Sequence, residues 1–78
     1  MSNNTYNGHK NWNHWNVSLW INNDQGLYNM AKEYISVYRT RNIAAYAMLN
    51  SLHDSGKWFT PDSAPYSYSS VRAAMVGM

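Results

Sequence analysis

Apolar side chains recur at helical spacing between Leu27 and Arg39, and this periodicity constrains the fold more than any other feature of the sequence. At about 100° per residue, one half of the helical wheel holds Leu, Met, Ala, Ile, Val and Tyr side chains, while the other half is polar. The pattern predicts an amphipathic helix over Leu27–Arg39. Asn23 or Asp24 can cap its free amide groups, and the carboxylate of Asp24 also complements the helix dipole.

The preceding segment, Trp12–Asn23, fits two periodicities. One helical face would hold Trp12, Trp15, Asn16, Leu19 and Asn23. Val17, Leu19 and Ile21 also alternate, however, as they would in a strand. We expect a helix, because its neighbours are helical and no second good strand exists for this segment to pair with.

Two further helices are predicted towards the end of the sequence. Ile43–Ser55 has Asn42 as a suitable N-cap and Gly56 as a suitable closing residue. A short helix is expected at Val71–Val76, started by Ser67 or Ser69, after a loop over residues 66–70.

These elements predict one all-α domain, a small bundle of three to four short helices. A chain of 78 residues has room for one domain. We divide residues 1–78 into a loose polar arm (1–11), a helical core (12–55), and a connector with a short terminal helix (56–78).

The polar residues of this chain are mostly uncharged. Charged residues make up 13% of the sequence against about 25% in a typical domain, while eleven Asn, seven Tyr and four Trp are present. Such residues are common where a protein surface contacts another molecule. The composition therefore favours an interaction protein, and Trp12, Trp15 and Trp20 are candidates for either core or contact residues.

Residue types and spacings speak against a metal centre or an enzyme active site. His9, His14 and His53 lack the spacing of a tetrahedral metal site. The single glutamate, Glu33, lies on the polar face of its helix, and no Gly-rich phosphate loop occurs. We expect no catalytic residue, no metal and no cofactor.

The absence of cysteine and of a long apolar run indicates the compartment. Without Cys there are no disulfides, which suits a reducing cytoplasm. The longest apolar stretches fall short of the roughly 18–20 residues that cross a bilayer. We therefore expect a cytoplasmic protein that does not bind a membrane.

A set of aromatic and amide residues in the first half of the chain resembles a known signature. The set consists of Tyr6-Asn7-Gly8, Asn11, Trp15-Asn16-Val17, Leu19-Trp20, Asn22-Asn23-Asp24 and Leu27-Tyr28. It is similar to that of an uncharacterised family of short bacteriophage, prophage and plasmid proteins, from Tyr6 to Ile35. That family has an aromatic residue at the position of Trp12 and usually a small hydroxyl residue where His14 stands, so His14 is a departure.

The resemblance implies an origin in phages or mobile elements, and hence a bacterial host cell. It brings no catalytic or binding residues to carry over. Small accessory proteins of this origin often bind a host or defence protein, as anti-CRISPR and anti-restriction inhibitors do.

Together these features predict a non-enzymatic protein that binds a host protein complex stoichiometrically, such as a CRISPR or restriction effector. A net charge of +2 argues against inhibition by DNA mimicry. The residues expected to contact the partner are Trp12, Tyr38, Arg39, Arg41, Trp58 and Tyr66.

Two other functions stay open. Arg39, Arg41 and Lys57, with nearby aromatic rings, have the residue types of a single-strand nucleic-acid-binding surface. The low charge is also compatible with self-association.

Overall fold

Four side-chain caps divide the chain into four helices in the computed structural model, which describes residues 10–78. The helices are α1 (Trp12–Asn23), α2 (Gln25–Val37), α3 (Arg41–Asp54) and α4 (Tyr68–Ala74). Their caps are Asn11, Asp24, Thr40 and Ser67, each of which accepts a hydrogen bond from a backbone N–H of the first turn. The expected all-α fold is confirmed. The first nine residues of the predicted polar arm lie outside the described residues.

Asp24 alone separates α1 from α2. Its backbone N–H donates to the carbonyl of Trp20 at 2.9 Å and closes α1, while its carboxylate accepts from the backbone N–H of Leu27 at 3.0 Å and opens α2. Because Asp24 is the N-cap, the first helical residue of α2 is Gln25. The helix therefore begins two residues before the expected start. The helix ends at Val37, where Tyr38 adopts an extended conformation.

The predicted cap of α3 is wrong. Thr40 caps this helix, with its hydroxyl 3.1 Å from the backbone nitrogen of Ile43, so α3 begins two residues earlier than expected. Asn42 instead accepts a hydrogen bond at 2.7 Å from the guanidinium of Arg72 on α4. At the other end Gly56 has a φ of +81°, and it closes α3 with a Schellman motif, as its position predicted.

The terminal helix also begins earlier than expected. Ser67, one of the two predicted caps, forms a capping box with Ser70, so Tyr68–Ser70 are helical rather than part of a loop. The reciprocal bonds satisfy two backbone amides and make a start at Tyr68 favourable. The helix ends at Ala74, two residues before the expected end.

The helices form a closed arrangement in which α1 and α3 each pack against both α2 and α4. The core between them consists of small and medium aliphatic side chains with one tyrosine from the connector between α3 and α4: Val17, Ile21, Ala31, Ala44, Ala45, Met48, Leu52, Ala64, Tyr66, Val71, Ala74 and Met75. Five of these core residues are alanines, so the side chains that separate the packed elements are short.

The tryptophans lie at the margin of this core and not inside it. Trp15 and Trp20 are half-buried, whereas Trp12 and Trp58 are exposed. The tryptophans are therefore available to shape the surface. No helix within residues 10–78 has the length and apolar character needed to cross a membrane.

Candidate partner-binding groove

The connector between α3 and α4 runs out along the bundle and folds back on itself. Phe59 and Pro65 face each other in an antiparallel bridge. The flanking hydrogen bonds run from the N–H of Thr60 to the carbonyl of Ala64 (2.8 Å) and from the N–H of Tyr66 to the carbonyl of Trp58 (2.9 Å). The outgoing limb is therefore extended, and its successive side chains point to opposite sides.

A buried hydrogen-bond network anchors this connector to α1. The hydroxyl of Thr60 donates to the side-chain oxygen of Asn16 at 2.6 Å, and it accepts from the backbone N–H of Ala64 at 3.1 Å. The amide nitrogen of Asn16 donates to Asp62 at 2.8 Å. Asn16 and Thr60 are 1% and 4% exposed, so water cannot readily replace these bonds.

The same aspartate orients the indole ring of Trp20. The ring N–H of Trp20 donates to the carboxylate oxygen of Asp62 at 3.0 Å, the oxygen that Asn16 also uses. These two hydrogen bonds, first that of Asn16 and then that of Trp20, hold the pKa of Asp62 below its ordinary value, against a smaller opposing effect of burial. Asp62 is thus an ionised structural acceptor that fixes the connector and the ring.

An open apolar groove of about 520 Å³ lies between this connector and the α1–α2 corner. Three aromatic rings and several aliphatic side chains line it, together with one carboxylate and one ammonium group: Trp20, Asp24, Gly26, Leu27, Met30, Lys57, Phe59, Pro61 and Tyr66. The connector contributes alternate residues, as an extended chain does. Phe59 is 62% exposed, so a large apolar ring borders the groove in contact with solvent.

One end of the groove is polar. Tyr66 is 5% exposed, yet its hydroxyl has no hydrogen-bond partner within residues 10–78. Burial, and secondly the negative charge of Asp24, raise the pKa of Tyr66. The hydroxyl therefore stays protonated at neutral pH and is available as a donor. Gly26 leaves space here, because a Cβ at this position would lie 3.3 Å from the cap oxygen of Asp24.

Beside the groove, Trp58 stacks on the last turn of α3. Its ring lies nearly parallel to that of His53, with the centroids 3.8 Å apart, and Trp58 as a whole remains 53% exposed. Trp58 and Phe59 thus present two large aromatic surfaces on adjacent residues. Exposed aromatic rings of this kind are enriched among the residues that dominate binding energy.

The structure separates the predicted contact residues into groups. Trp58 and Tyr66 meet in the connector, whereas Tyr38, Arg39 and Arg41 lie at the other end of α3, roughly 20 Å away by the helical rise. Arg41 donates from its guanidinium to the backbone oxygens of Met75 and Met78. The remaining residue, Trp12, is exposed in the first turn of α1.

Tyr66 is the one predicted contact residue whose ring is buried in the core, and it also lines the groove.

Sequence reasoning did not identify most of the groove residues. The sequence leaves Trp20 open as a core or contact residue and predicts a helix cap at Asp24, and its periodicity places Leu27 and Met30 on the apolar face of α2. The alternation of Lys57, Phe59 and Pro61 is the only local signal for a shared face, and it is too short to distinguish a strand from a loop.

The histidines do not converge. The imidazole of His14 is 3.1 Å from the hydroxyl of Ser69, whereas His53 lies under Trp58 at the end of α3. Within residues 10–78 no group of three His, Asp or Glu side chains is arranged to hold a metal ion; His9 lies outside that range.

The helices and the groove together define a small all-α protein with a solvent-open apolar site. The chain belongs to a family of unknown function, DUF7249, whose model matches residues 2–78. No curated protein and no solved structure shows significant similarity to the chain.

Proposed function

We propose that this protein acts by stoichiometric binding to another protein, and that the groove with its exposed aromatic border is the contact surface. The observation that carries the proposal is the combination of an open apolar groove of about 520 Å³ with Phe59 exposed at its edge. Sites of this size, mainly apolar with a few polar groups, are typical of binding pockets.

The state of the groove's polar groups favours binding over proton transfer. Tyr66, whose pKa is raised, is a poor acid and stays a hydrogen-bond donor at neutral pH. Asp24 has one carboxylate oxygen committed to capping α2. These groups are suited to orienting a bound molecule.

The arrangement of basic residues favours a protein partner over nucleic acid. Lys57 lies at the opposite end of α3 from Arg39 and Arg41, and the guanidinium of Arg41 is engaged by backbone oxygens. Binding driven by phosphate contacts normally needs a denser group of free cations.

The resemblance to short phage, prophage and plasmid proteins makes a host defence complex, such as a CRISPR or restriction effector, the first target class to test. A net charge of +2 with only four acidic residues supports blocking of a protein pocket or conformation rather than imitation of DNA. The site of action is then the cytoplasm of a bacterial cell.

The test is a pull-down with the tagged, full-length chain from nuclease-treated bacterial lysates that express candidate defence systems, read by mass spectrometry. We expect one stoichiometric protein partner that is retained between roughly 50 and 200 mM salt. Phe59→Ala should lose this partner, and Tyr46→Ala should keep it. Tyr46 is a matched control because it is a similarly exposed ring, on α3.

Far-UV circular dichroism of both variants must match that of the wild type. Recovery of nucleic acid alone, lost at the higher salt, would contradict the proposal and support the single-strand-binding alternative. Recovery of only the chain itself, with a doubled mass in solution, would support self-association.

A further inference from the structure

The backbone of Phe59 offers an unpaired hydrogen-bonding edge beside the groove. In its bridge with Pro65, the hydrogen bonds are made by the flanking residues Trp58 and Thr60. The N–H and C=O of Phe59 therefore point away from the returning limb, to the opposite edge of the extended chain. Within residues 10–78 neither group has a hydrogen-bond partner.

Such an edge is a template for another extended chain. Unpaired N–H and C=O groups on a strand edge recruit a further strand, with main-chain bonds for affinity and side-chain pockets for specificity. Here the edge residue is also the one whose ring borders the groove. A segment paired with Phe59 would therefore run along the groove and direct its alternate side chains towards it.

The groove has a defined chemical polarity. Leu27, Met30 and Phe59 provide apolar walls, whereas the hydroxyl of Tyr66 and the carboxylate of Asp24 form the polar end. The ammonium group of Lys57 lines the groove on the side of the connector. A carboxylate accepts hydrogen bonds and attracts positive charge, and the oxygen of a protonated tyrosine hydroxyl can also accept a hydrogen bond. A side chain that satisfies both regions has an apolar body and a hydrogen-bond donor at its tip, as Arg, Lys, Tyr and Trp have.

We infer that the groove binds an extended segment of a partner protein, which pairs its main chain with Phe59 and inserts one side chain with an apolar body and a donor tip. This inference rests on the proposed function and specifies the partner segment. A helical segment would leave the edge of Phe59 unused, because its own backbone groups are already bonded within the helix.

The probe is a library of randomised seven-residue peptides displayed on phage and selected on the immobilised, full-length chain. The strongest sequence is then synthesised with a fluorophore, and its affinity is measured by anisotropy. We expect enrichment of Arg, Lys, Tyr or Trp at one position. Phe59→Ala should weaken binding of this peptide at least tenfold, and Tyr46→Ala should leave it unchanged.

Two conservative variants test the polar end of the groove. Tyr66→Phe removes only the hydroxyl, and Asp24→Asn removes the charge while keeping a good helix cap. We expect Tyr66→Phe to weaken binding about fivefold and Asp24→Asn about tenfold, as loss of a neutral and of a charged hydrogen bond would. Tyr46→Phe, which removes an exposed hydroxyl, is the matched control and should have no effect.

An N-methyl scan of the peptide tests the main-chain pairing. Methylation of a single residue should weaken binding about five- to tenfold, because it removes the donor to the Phe59 carbonyl. That residue is the one opposite Phe59 in an antiparallel segment and the one after it in a parallel segment. The amides of its two neighbours point away, so their methylation should have little effect. Full sensitivity at several consecutive positions would indicate a helical ligand and overturn the inference.

The remaining outcomes are also decisive. Absence of any enriched peptide, enrichment of acidic or purely aliphatic residues at the inserted position, or equal affinity for Phe59→Ala would each overturn the inference. If the pull-down still captures a protein partner that Phe59→Ala loses, the proposed function stands and only the extended-segment inference fails. If no protein is captured by the wild type, the proposed function itself fails.

Discussion

Replacing Thr60 by valine tests whether the buried network holds the groove together. Valine has nearly the same shape as threonine but lacks the hydroxyl. The substitution removes the bond to the Asn16 side-chain oxygen and the bonds from the backbone N–H groups of Asp62 and Ala64. Both Thr60 and Asn16 are buried, so the groups left behind cannot be solvated without local rearrangement.

The expected loss follows from these contacts. A neutral hydrogen bond contributes about 1 kcal/mol, and a buried polar group left without a partner costs about 1–3 kcal/mol. We therefore expect Thr60→Val to lower the free energy of unfolding by about 2–4 kcal/mol. A chain of this length has about 4–12 kcal/mol in total, so the midpoint of thermal unfolding should fall by at least about 10 °C.

The assay is urea unfolding followed by far-UV circular dichroism, with Thr60→Ser as the matched control. Serine keeps the hydroxyl and loses one methyl group, which costs about 1 kcal/mol. If Thr60→Val and Thr60→Ser unfold at the same urea concentration, the hydroxyl contributes no more than the methyl group. The network would then not be what anchors the connector.

Three further perturbations test separate parts of the structure. Because the pKa of Asp62 is lowered in the folded protein, its carboxylate stabilises the fold at pH values above the ordinary aspartate pKa of about 3.9. This contribution is lost as the pH falls through the lower pKa of the folded state. Asp62→Asn should therefore be less stable than wild type at pH 7 in urea unfolding, with the difference shrinking in acid; a constant difference would contradict this. Gly56→Ala should lower the free energy of unfolding by about 1 kcal/mol, because the φ of Gly56 is +81°. Ser63→Gly, at a φ of +74°, should be neutral or stabilising by up to about 1 kcal/mol. If calorimetry shows shifts of the unfolding temperature with the same sign for both variants, the assignment of strain is refuted. Met48→Ala should lose about 2–5 kcal/mol in thermal unfolding, and the exposed Val76→Ala less than about 0.5 kcal/mol.

The helices could be predicted because their signals are local. The apolar periodicity of α2, the cap at Asp24 and the closing glycine at Gly56 each act within a few residues of where they stand. The start of α3 could not be predicted in this way: Thr40 and Asn42 are both good caps, and the Asn42 side chain instead accepts a hydrogen bond from Arg72 on α4, 30 residues away.

The candidate site could be predicted only in part. Residue type predicts both Trp58 and Tyr66 as contact residues. Trp58 is exposed beside the groove, whereas the ring of Tyr66 is buried in the core. Residue type does not distinguish these cases, because an aromatic ring is equally suited to burial and to contact.

The sequence by itself determined the helical class, the order of the four helices and both ends of α1, because short-range hydrogen bonds and periodicity depend on neighbouring residues. Whether the groove forms, and which residues line it, was decided only by the tertiary structure. The groove depends on a hydrogen bond between Asn16 and Thr60, which are 44 residues apart, and on the packing of the connector against the α1–α2 corner. Contacts between residues so distant in the chain depend on how all the helices pack, and no local pattern encodes them.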